Sequence, residues 1–183
     1  MKIKVLGIDA AFSNVGLALA SIDITDPAHP VIEITDLKLI HTEGAKKRPK
    51  GVSKSADDMR RAREALKGIQ DAIRDWAPDH VIAEVPFGSQ SARSAWTLGI
   101  ALGILASIPN LIEVNPRQVK AVTGEPHADK DWMIDWAINK YPNAPWAMRK
   151  LKGEMVQIAS TNEHLADATA AIHAGLKTIL TTV

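Results

Sequence analysis

Three carboxylates stand at the borders of apolar segments, so their placement could serve chemistry. Asp9 follows the apolar run that opens the chain, Glu84 ends the run in HVIAEV, and Asp167 opens the small, apolar part of ADATAAIHAG. An isolated buried carboxylate is costly, so each of the three needs a basic partner, backbone donors or a shared metal ion. Mg²⁺ prefers oxygen ligands, and two such ions can act on the attacking and leaving oxygens of a phosphodiester.

Two further polar residues share the helical segment of the third carboxylate. Glu163 and His164 precede Asp167 by four and three residues, so all three side chains can lie on one helical face. Each acid also has an ordinary structural explanation: Asp9 could form a turn, Glu84 could pair with a base, and Glu163 could favour the first helical turn. Three acids on three separate apolar elements favour a common magnesium site.

Positive charge is concentrated in one stretch, residues 44–63, which carries +6 while the whole chain carries +1. Its first part has Gly, Pro and Ser and no apolar periodicity, which predicts a flexible basic loop at about residues 44–54. Such a loop could simply be solvated. The alternative, which we favour, is contact with the phosphates of a nucleic acid. The candidate DNA-binding residues of the loop are Lys46, Lys47, Arg48 and Lys50.

The bulk composition is typical of one globular domain, residues 1–183. Hydrophobic residues make up 46% of the chain, and the absence of Cys excludes disulfides and thiolate metal sites. The apolar run before Asp9 is too short for a secretion signal, and the longest apolar stretch, residues 95–108, is too short to cross a bilayer. We therefore predict a buried helix there, no membrane association, and an intracellular, cytoplasmic protein.

The order of predicted elements indicates an α/β fold with a mixed sheet. Residues 3–8 and 15–21 are predicted to form a hairpin, because turn-forming residues separate the two apolar runs. Further strands are expected at residues 31–40, 79–85 and 111–114, and helices at residues 55–76, 91–108, just after residue 116, 129–140 and 162–180.

Four segments, taken in order, resemble the signature segments of the RuvC-like Holliday junction resolvases of the ribonuclease H-like superfamily. They are GIDAAFSNVGLAL, VIAEVPF, NPRQVKAVTGEPHADK and HLADATAAI. The resemblance runs from about residue 3 to 180. It implies a ribonuclease H-like fold, with a five-stranded mixed sheet flanked by helices. It also implies a homodimer, and an endonuclease that makes Mg²⁺-dependent paired nicks in four-way DNA junctions.

The resemblance also assigns roles to individual residues. Asp9, Glu84, His164 and Asp167 would form the catalytic, metal-binding cluster, with Asp9 shared by two Mg²⁺ ions, for which Mn²⁺ can substitute. A histidine is a poorer ligand for a hard cation than a carboxylate, so Glu163 is the alternative to His164. The basic residues beside the cluster, catalytic and DNA-binding, would be Lys120 and Lys130; a solvated helix face is the alternative for both lysines.

Phe87 follows Glu84 by three residues, and Pro86 should end the strand before it. It could anchor the core beneath the next helix, or it could stack on a base at the branch point of a DNA junction. The resembling family often carries an aromatic residue at this position. We therefore favour stacking.

Some positions depart from the pattern of the resembling family. Ala10 and Ala11 stand where Pro-Gly is usual, and Pro126 stands where glycine is common. The basic loop is longer than the family's. This longer and more basic loop leaves open a broader branched-DNA nuclease.

Two other functions also remain open. One is a noncatalytic nucleic-acid-binding protein of the same fold. The other is a sugar kinase or actin-like ATPase, which the first segment also resembles, but 183 residues leave no room for the second domain that those proteins need.

The homodimer has an independent indication in the apolar helix after Glu84. Gly99 and Gly103 give a smooth stripe beside Trp96 and Leu102, and a helix that is apolar on several faces needs cover beyond its own sheet. Packing within one chain is the alternative. A twofold pair would present two active sites to a twofold-symmetric junction.

Overall fold

A five-stranded mixed sheet with helices on both faces forms the body of the protein. In the computed structural model, which describes residues 1–45 and 50–181, the elements alternate much as the sequence predicts. The strands are β1 (Lys2–Ala10), β2 (Asn14–Asp23), β3 (Val31–His41), β4 (His80–Glu84), β5 (Ile112–Val114), β6 (Met148–Leu151) and β7 (Glu154–Gln157). The helices are α1 (Lys54–Trp76), α2 (Ala92–Ala106), α3 (Pro116–Ala121), α4 (Lys130–Lys140) and α5 (Ala159–Leu180).

The strand order in the sheet is β3-β2-β1-β4-β5. The first three strands pair antiparallel, while β4 and β5 run parallel to β1. The register places Asp9 of β1 beside Gly16 of β2 on one side and beside Glu84 of β4 on the other. Directly paired residues point to the same face of a sheet, so the two carboxylates share a face. The predicted mixed sheet flanked by helices is confirmed.

The two faces of the sheet carry different helices because the strands alternate. Leu6 and Ile8 of β1 pack with residues of α1 and α2, whereas Val5, two residues before Gly7, packs with residues of α5. Gly7 and Asp9 therefore face α5, with the short helices α3 and α4 packed around it. The central strands are buried on both sides, as their nearly continuous apolar runs require.

Helix α5 approaches the sheet more closely than a side chain on the strand would allow. A Cβ added to Gly16 would lie 2.1 Å from the backbone oxygen of His164, and one added to Gly7 would lie 2.1 Å from the backbone oxygen of Ala168. The two contacts are one helical turn apart, so two glycines on adjacent strands seat consecutive turns of the helix.

Three predictions about the elements need correction. The hairpin of β6 and β7 was missed, because its strands are short and exposed and show little apolar alternation. Helix α5 begins at Ala159 rather than near residue 162. The helix predicted as buried, α2, is only partly so: Trp96 is 50% exposed, and Gly99 and Gly103 face open space. It packs on the sheet along one side, through the side chains of Ala101, Ile104 and Leu105.

The predicted basic loop lies only partly within the described residues. Lys46, Lys47 and Arg48 lie outside them, whereas Lys50 is an exposed turn residue just before α1. Across the part of the chain that the structure describes, every helix is too short or too polar to cross a membrane.

Replacing Gly16 with alanine should destabilise the protein, because the added methyl meets helix backbone that cannot rotate away. We expect Gly16→Ala to lower the free energy of unfolding by about 1–3 kcal/mol or more, measured by urea denaturation. Gly44→Ala is the matched control, since its Cβ would make ordinary contacts at 3.6 Å or more, and its effect should stay within about 0.5 kcal/mol. Equal effects of the two substitutions would contradict the close seating of α5.

Candidate active site

The candidate site lies at the edge of the sheet where β1 and β4 both end. These strands run parallel, so the carboxylates of Asp9 and Glu84, which end their apolar runs, meet at neighbouring positions. Both residues are partly buried. Beyond β4, the chain continues at once into Pro86 and an exposed Gly/Ser/Gln segment, which leaves this edge uncovered.

Helix α5 brings the remaining predicted site residues, His164 and Asp167, to the same place. His164 lies directly over Gly16, and its Nδ1 is 2.7 Å from Oδ2 of Asp9. Asp167 lies one turn further along the same face of the helix. The structure thus brings together Asp9, Glu84, His164 and Asp167, which lie up to 158 positions apart in the chain.

Two of these partly buried carboxyl groups resist ionisation. Burial, together with the negative charges of Asp9 and Asp167, raises the pKa of Glu84 to about 8. Burial and the charge of Asp9 likewise raise the pKa of Asp167 to about 7, although the charges of His164 and Lys120 oppose the rise. Two partly buried acids whose pKa values are both raised by the charge of Asp9 form a site that favours a cation.

His164 lies in the cluster, and its imidazole ring can carry a positive charge. Burial opposes the charged imidazolium, but the hydrogen bond to Asp9 and the negative charges of Asp9, Glu163 and Asp167 outweigh it, so the pKa of His164 is raised. Its Nε2 also lies 3.4 Å from Oε1 of Glu163. In its charged form the ring therefore bridges two carboxylates.

The two predicted lysines both lie beside the acids. Nζ of Lys130, at the start of α4, is 3.0 Å from Oε2 of Glu163. Lys120 on α3 is half-buried, and its charge lowers the pKa of both Glu84 and Asp167. A purely solvated face is therefore wrong for Lys120, and Lys130, although exposed, has an acidic partner.

Phe87 is 69% exposed next to this edge, so its alternative role as a core anchor is wrong. A large aromatic ring that packs so little against the hydrophobic core is available to another molecule.

The donor chemistry of the cluster fits Mg²⁺, which prefers carboxylate oxygens. The raised pKa values of Glu84 and Asp167 have part of their cause in repulsion from Asp9, which a divalent cation would relieve. Within residues 1–45 and 50–181, no group of three or more His, Asp or Glu side chains already surrounds one point as metal ligands. Asp9 instead accepts from His164. The residue types thus fit the ion, and binding it requires their side chains to turn.

A buried ion network that the sequence analysis missed lies beside the turn after Asp9. Asp58 of α1 accepts hydrogen bonds from both terminal nitrogens of Arg93 and from Nε1 of Trp96, 3.2 Å away, which ties α1 to α2. Arg61 donates to Oγ of Ser13 at 2.7 Å and lies 4.1 Å from the centre of the Phe12 ring. The only signal in the sequence is the spacing of Asp58 and Arg61 within DDMRRAR, which is also common on solvated helices.

The cost of ionising Glu84 should make the stability of the metal-free protein depend on pH. The folded-state pKa near 8 lies above the ordinary 4.5, so the charge destabilises the fold progressively as pH rises between these values. With a chelator present, Glu84→Gln should raise the melting temperature at about pH 9 and change it little at about pH 4. Glu33→Gln, at an exposed carboxylate of β3, is the matched control. A gain from Glu84→Gln that is equal at both pH values would contradict this account.

Solved structures of Holliday junction resolvases share the architecture of this chain. The Thermus thermophilus RuvC structure is 20% identical, with a TM-score of 0.61 over 98% of this chain and 95% of that chain. T. thermophilus RuvC in complex with Holliday junction substrate gives 19% identity and a TM-score of 0.60, over 98% of this chain and 94% of that chain. The yeast mitochondrial Holliday junction resolvase Ydc2 is 16% identical, with a TM-score of 0.60 over 97% of this chain and 80% of that chain.

These likenesses span nearly the whole of the chain, although the sequences have diverged widely. No protein-family model matches the sequence, and no curated protein does. At 16–20% identity a structural likeness establishes the fold alone. The chain therefore has the fold of the RuvC and Ydc2 Holliday junction resolvases.

Proposed function

We propose that the protein is a structure-selective DNA endonuclease that resolves four-way junctions by Mg²⁺-dependent paired nicking. The observation that carries the proposal is the meeting of Asp9, Glu84 and Asp167 at one open edge of a resolvase-type fold, with pKa values of Glu84 and Asp167 that favour a cation. An intracellular location follows from a DNA substrate.

The metal would be held by Asp9, Glu84 and Asp167, with His164 or, alternatively, Glu163 completing the site. Two Mg²⁺ ions, or Mn²⁺ in their place, would supply Lewis acids that stabilise negative charge on the phosphate oxygens. His164 holds a proton at Nδ1 against Asp9. It thereby orients that carboxylate.

Lys120 and Lys130 would hold the scissile phosphate and stabilise the charge that develops in the transition state. Lys130 suits this role because it is exposed and its Nζ lies beside the acidic cluster, 3.0 Å from Oε2 of Glu163. Lys120 lies deeper, close enough to Glu84 and Asp167 to lower the pKa of both.

Substrate contacts would extend from the acids in two directions. Phe87, exposed at the lip of the site, would stack on a base at the branch point. The basic segment before α1, with Lys46, Lys47, Arg48 and Lys50, would neutralise phosphates of an adjoining arm. This unusually basic segment favours activity on forks and flaps as the second candidate function.

A homodimer would supply the two active sites that paired nicking requires. The exposed side of α2, where Trp96 and Leu102 flank the open positions of Gly99 and Gly103, is the proposed interface. Leaving this apolar stripe in water would be unfavourable.

Removing single carboxylates should abolish cleavage without abolishing binding. We expect Asp9→Asn, Glu84→Gln and Asp167→Asn each to lose cleavage of a labelled four-way junction in Mg²⁺ while binding it nearly as wild type does in a chelator, because affinity comes mostly from phosphate contacts. Glu33→Gln is the charge-matched control and should cleave normally. Sedimentation under the same conditions reports whether the active species is a dimer.

The products of this assay separate the candidate functions. Symmetric paired nicks in the four-way junction support a resolvase. Comparable cleavage of forks and flaps supports the broader nuclease. Tight junction binding by the wild-type protein without cleavage in either Mg²⁺ or Mn²⁺ would contradict the enzyme and favour a noncatalytic binding protein.

Phe87→Ala should slow cleavage of intact four-way junctions more than cleavage of pre-opened ones. Base stacking on an aromatic ring is worth about 1–3 kcal/mol by alanine substitution, and a pre-opened junction does not need that help. The melting temperature should stay unchanged, because the side chain is 69% exposed. Phe87→Tyr is the matched control and should retain the preference of wild type. Equal slowing on both substrates would assign Phe87 a role other than opening the junction.

A further inference from the structure

The hairpin of β6 and β7 is a two-stranded ribbon beside the active site that the proposed chemistry does not use. Its ten residues, 148–157, are all exposed except the half-buried Val156. Among the residues that the structure describes, the two strands pair only with each other and form a sheet separate from the main one. An exposed two-stranded ribbon is marginally stable alone, so its attachment decides where it lies.

The base of the hairpin is fixed to the helix that carries the acidic cluster. Asn162, fully buried in α5, accepts from the backbone N–H of Ala147 at 2.9 Å and donates to its carbonyl at 3.2 Å. The N–H of Ile158 also donates to that carbonyl, at 3.0 Å. Glu163 and His164 follow Asn162 directly, so the ribbon leaves the body within about one helical turn of the active site.

The free face of the ribbon combines positive charge with flexible apolar side chains. Lys150 pairs with Met155, and Met148 pairs with Gln157, so these four residues share one face. All four are exposed, with Met155 at 61%. The opposite face carries Val156, the one half-buried residue of the ribbon.

The basic side chains of the ribbon are free to bind. Arg149, Lys150 and Lys152 form no ion pair or side-chain hydrogen bond with any residue in the described part of the chain. Glu154 is the one acid among the ten residues, so the ribbon carries a net charge of +2. The ribbon therefore attracts a polyanion and repels another basic surface.

The turn of the hairpin places a lysine where another residue would fit better. Lys152 and Gly153 have φ values of 50° and 96°, as both central residues of a type I′ turn require. Asn or Asp is favoured at the first of these positions, and a lysine there is uncommon. The hairpin thus holds a positive charge at its tip at some conformational cost.

We propose that the β6–β7 ribbon is a DNA-binding element that enters a groove of the duplex arm flanking the cleaved phosphate. The inference rests on the proposed nuclease function and adds a contact to it. A two-stranded ribbon fits the major groove, about 12 Å wide. Four residues per strand reach about 13 Å from the base, or about four nucleotides along one strand of the arm.

In this arrangement Lys150 and Lys152 contact phosphates on the walls of the groove. The side chains of Met148 and Met155 lie against base edges and sugars, where an unbranched thioether adapts to different sequences. The ribbon would thereby fix the direction of the arm relative to Glu163 and His164 without reading a sequence.

The test uses a double variant, Lys150→Gln with Lys152→Asn, and a matched control, Lys2→Gln with Lys177→Gln. The control removes two exposed charges, one at the start of β1 and one near the end of α5, both at ends of elements remote from the active site. Binding to a four-way junction is measured in a chelator over a range of NaCl concentrations. Each lost phosphate contact flattens the slope of log affinity against log salt by about 0.9.

We expect the ribbon variant to flatten the slope by about 1.8 and the control to leave it unchanged. The melting temperature should hold or rise, because Asn suits the turn. If the ribbon variant has the slope of wild type, the inference is wrong while the nuclease proposal stands. If the ribbon variant changes sedimentation but not the slope, the ribbon is a contact between copies of the chain, and the inference is overturned. Wild type that binds no junction would overturn both proposals.

Discussion

The close seating of helix α5 on the central strands is the constraint on which the site depends. Gly16 and Gly7 remove side chains where the backbone at His164 and Ala168 passes over the sheet. This approach brings residues from the C-terminal part of the chain within hydrogen-bonding distance of Asp9. A single methyl on either strand would meet helix backbone at 2.1 Å.

The acidic cluster is held together by its surroundings and not by its own attraction. Glu84 and Asp167 are partly buried near Asp9, and this burial and the repulsion raise the pKa of both carboxylic acids. Hydrophobic packing on both faces of the sheet supplies the stability that keeps them close. The charged partners, His164 and Lys120, offset part of the repulsion. Stored unfavourable electrostatics of this kind are typical of sites that bind a cation.

Helices α1 and α2, on the other face of the sheet, also hold the turn next to the site. Arg61 reaches from α1 to Ser13 and the ring of Phe12 in the turn that follows Asp9. Asp58 in turn joins α1 to Arg93 at the start of α2, the helix that follows the lip of the site. The turn after Asp9 is thus held by the guanidinium of Arg61, while the strand that carries Asp9 is held by apolar contacts.

The sequence by itself determined the sheet and the candidate acids. The apolar runs that predict β1 and β4 end in Asp9 and Glu84, so the same segments indicate both the strands and the carboxylates. Only the tertiary structure decided how the acids meet. The contact of His164 with Asp9 joins residues 155 positions apart, and no local pattern encodes such a distance. The β6–β7 ribbon escaped prediction for the opposite reason. Its strands bury almost nothing, and hydrophobic periodicity records only what is buried.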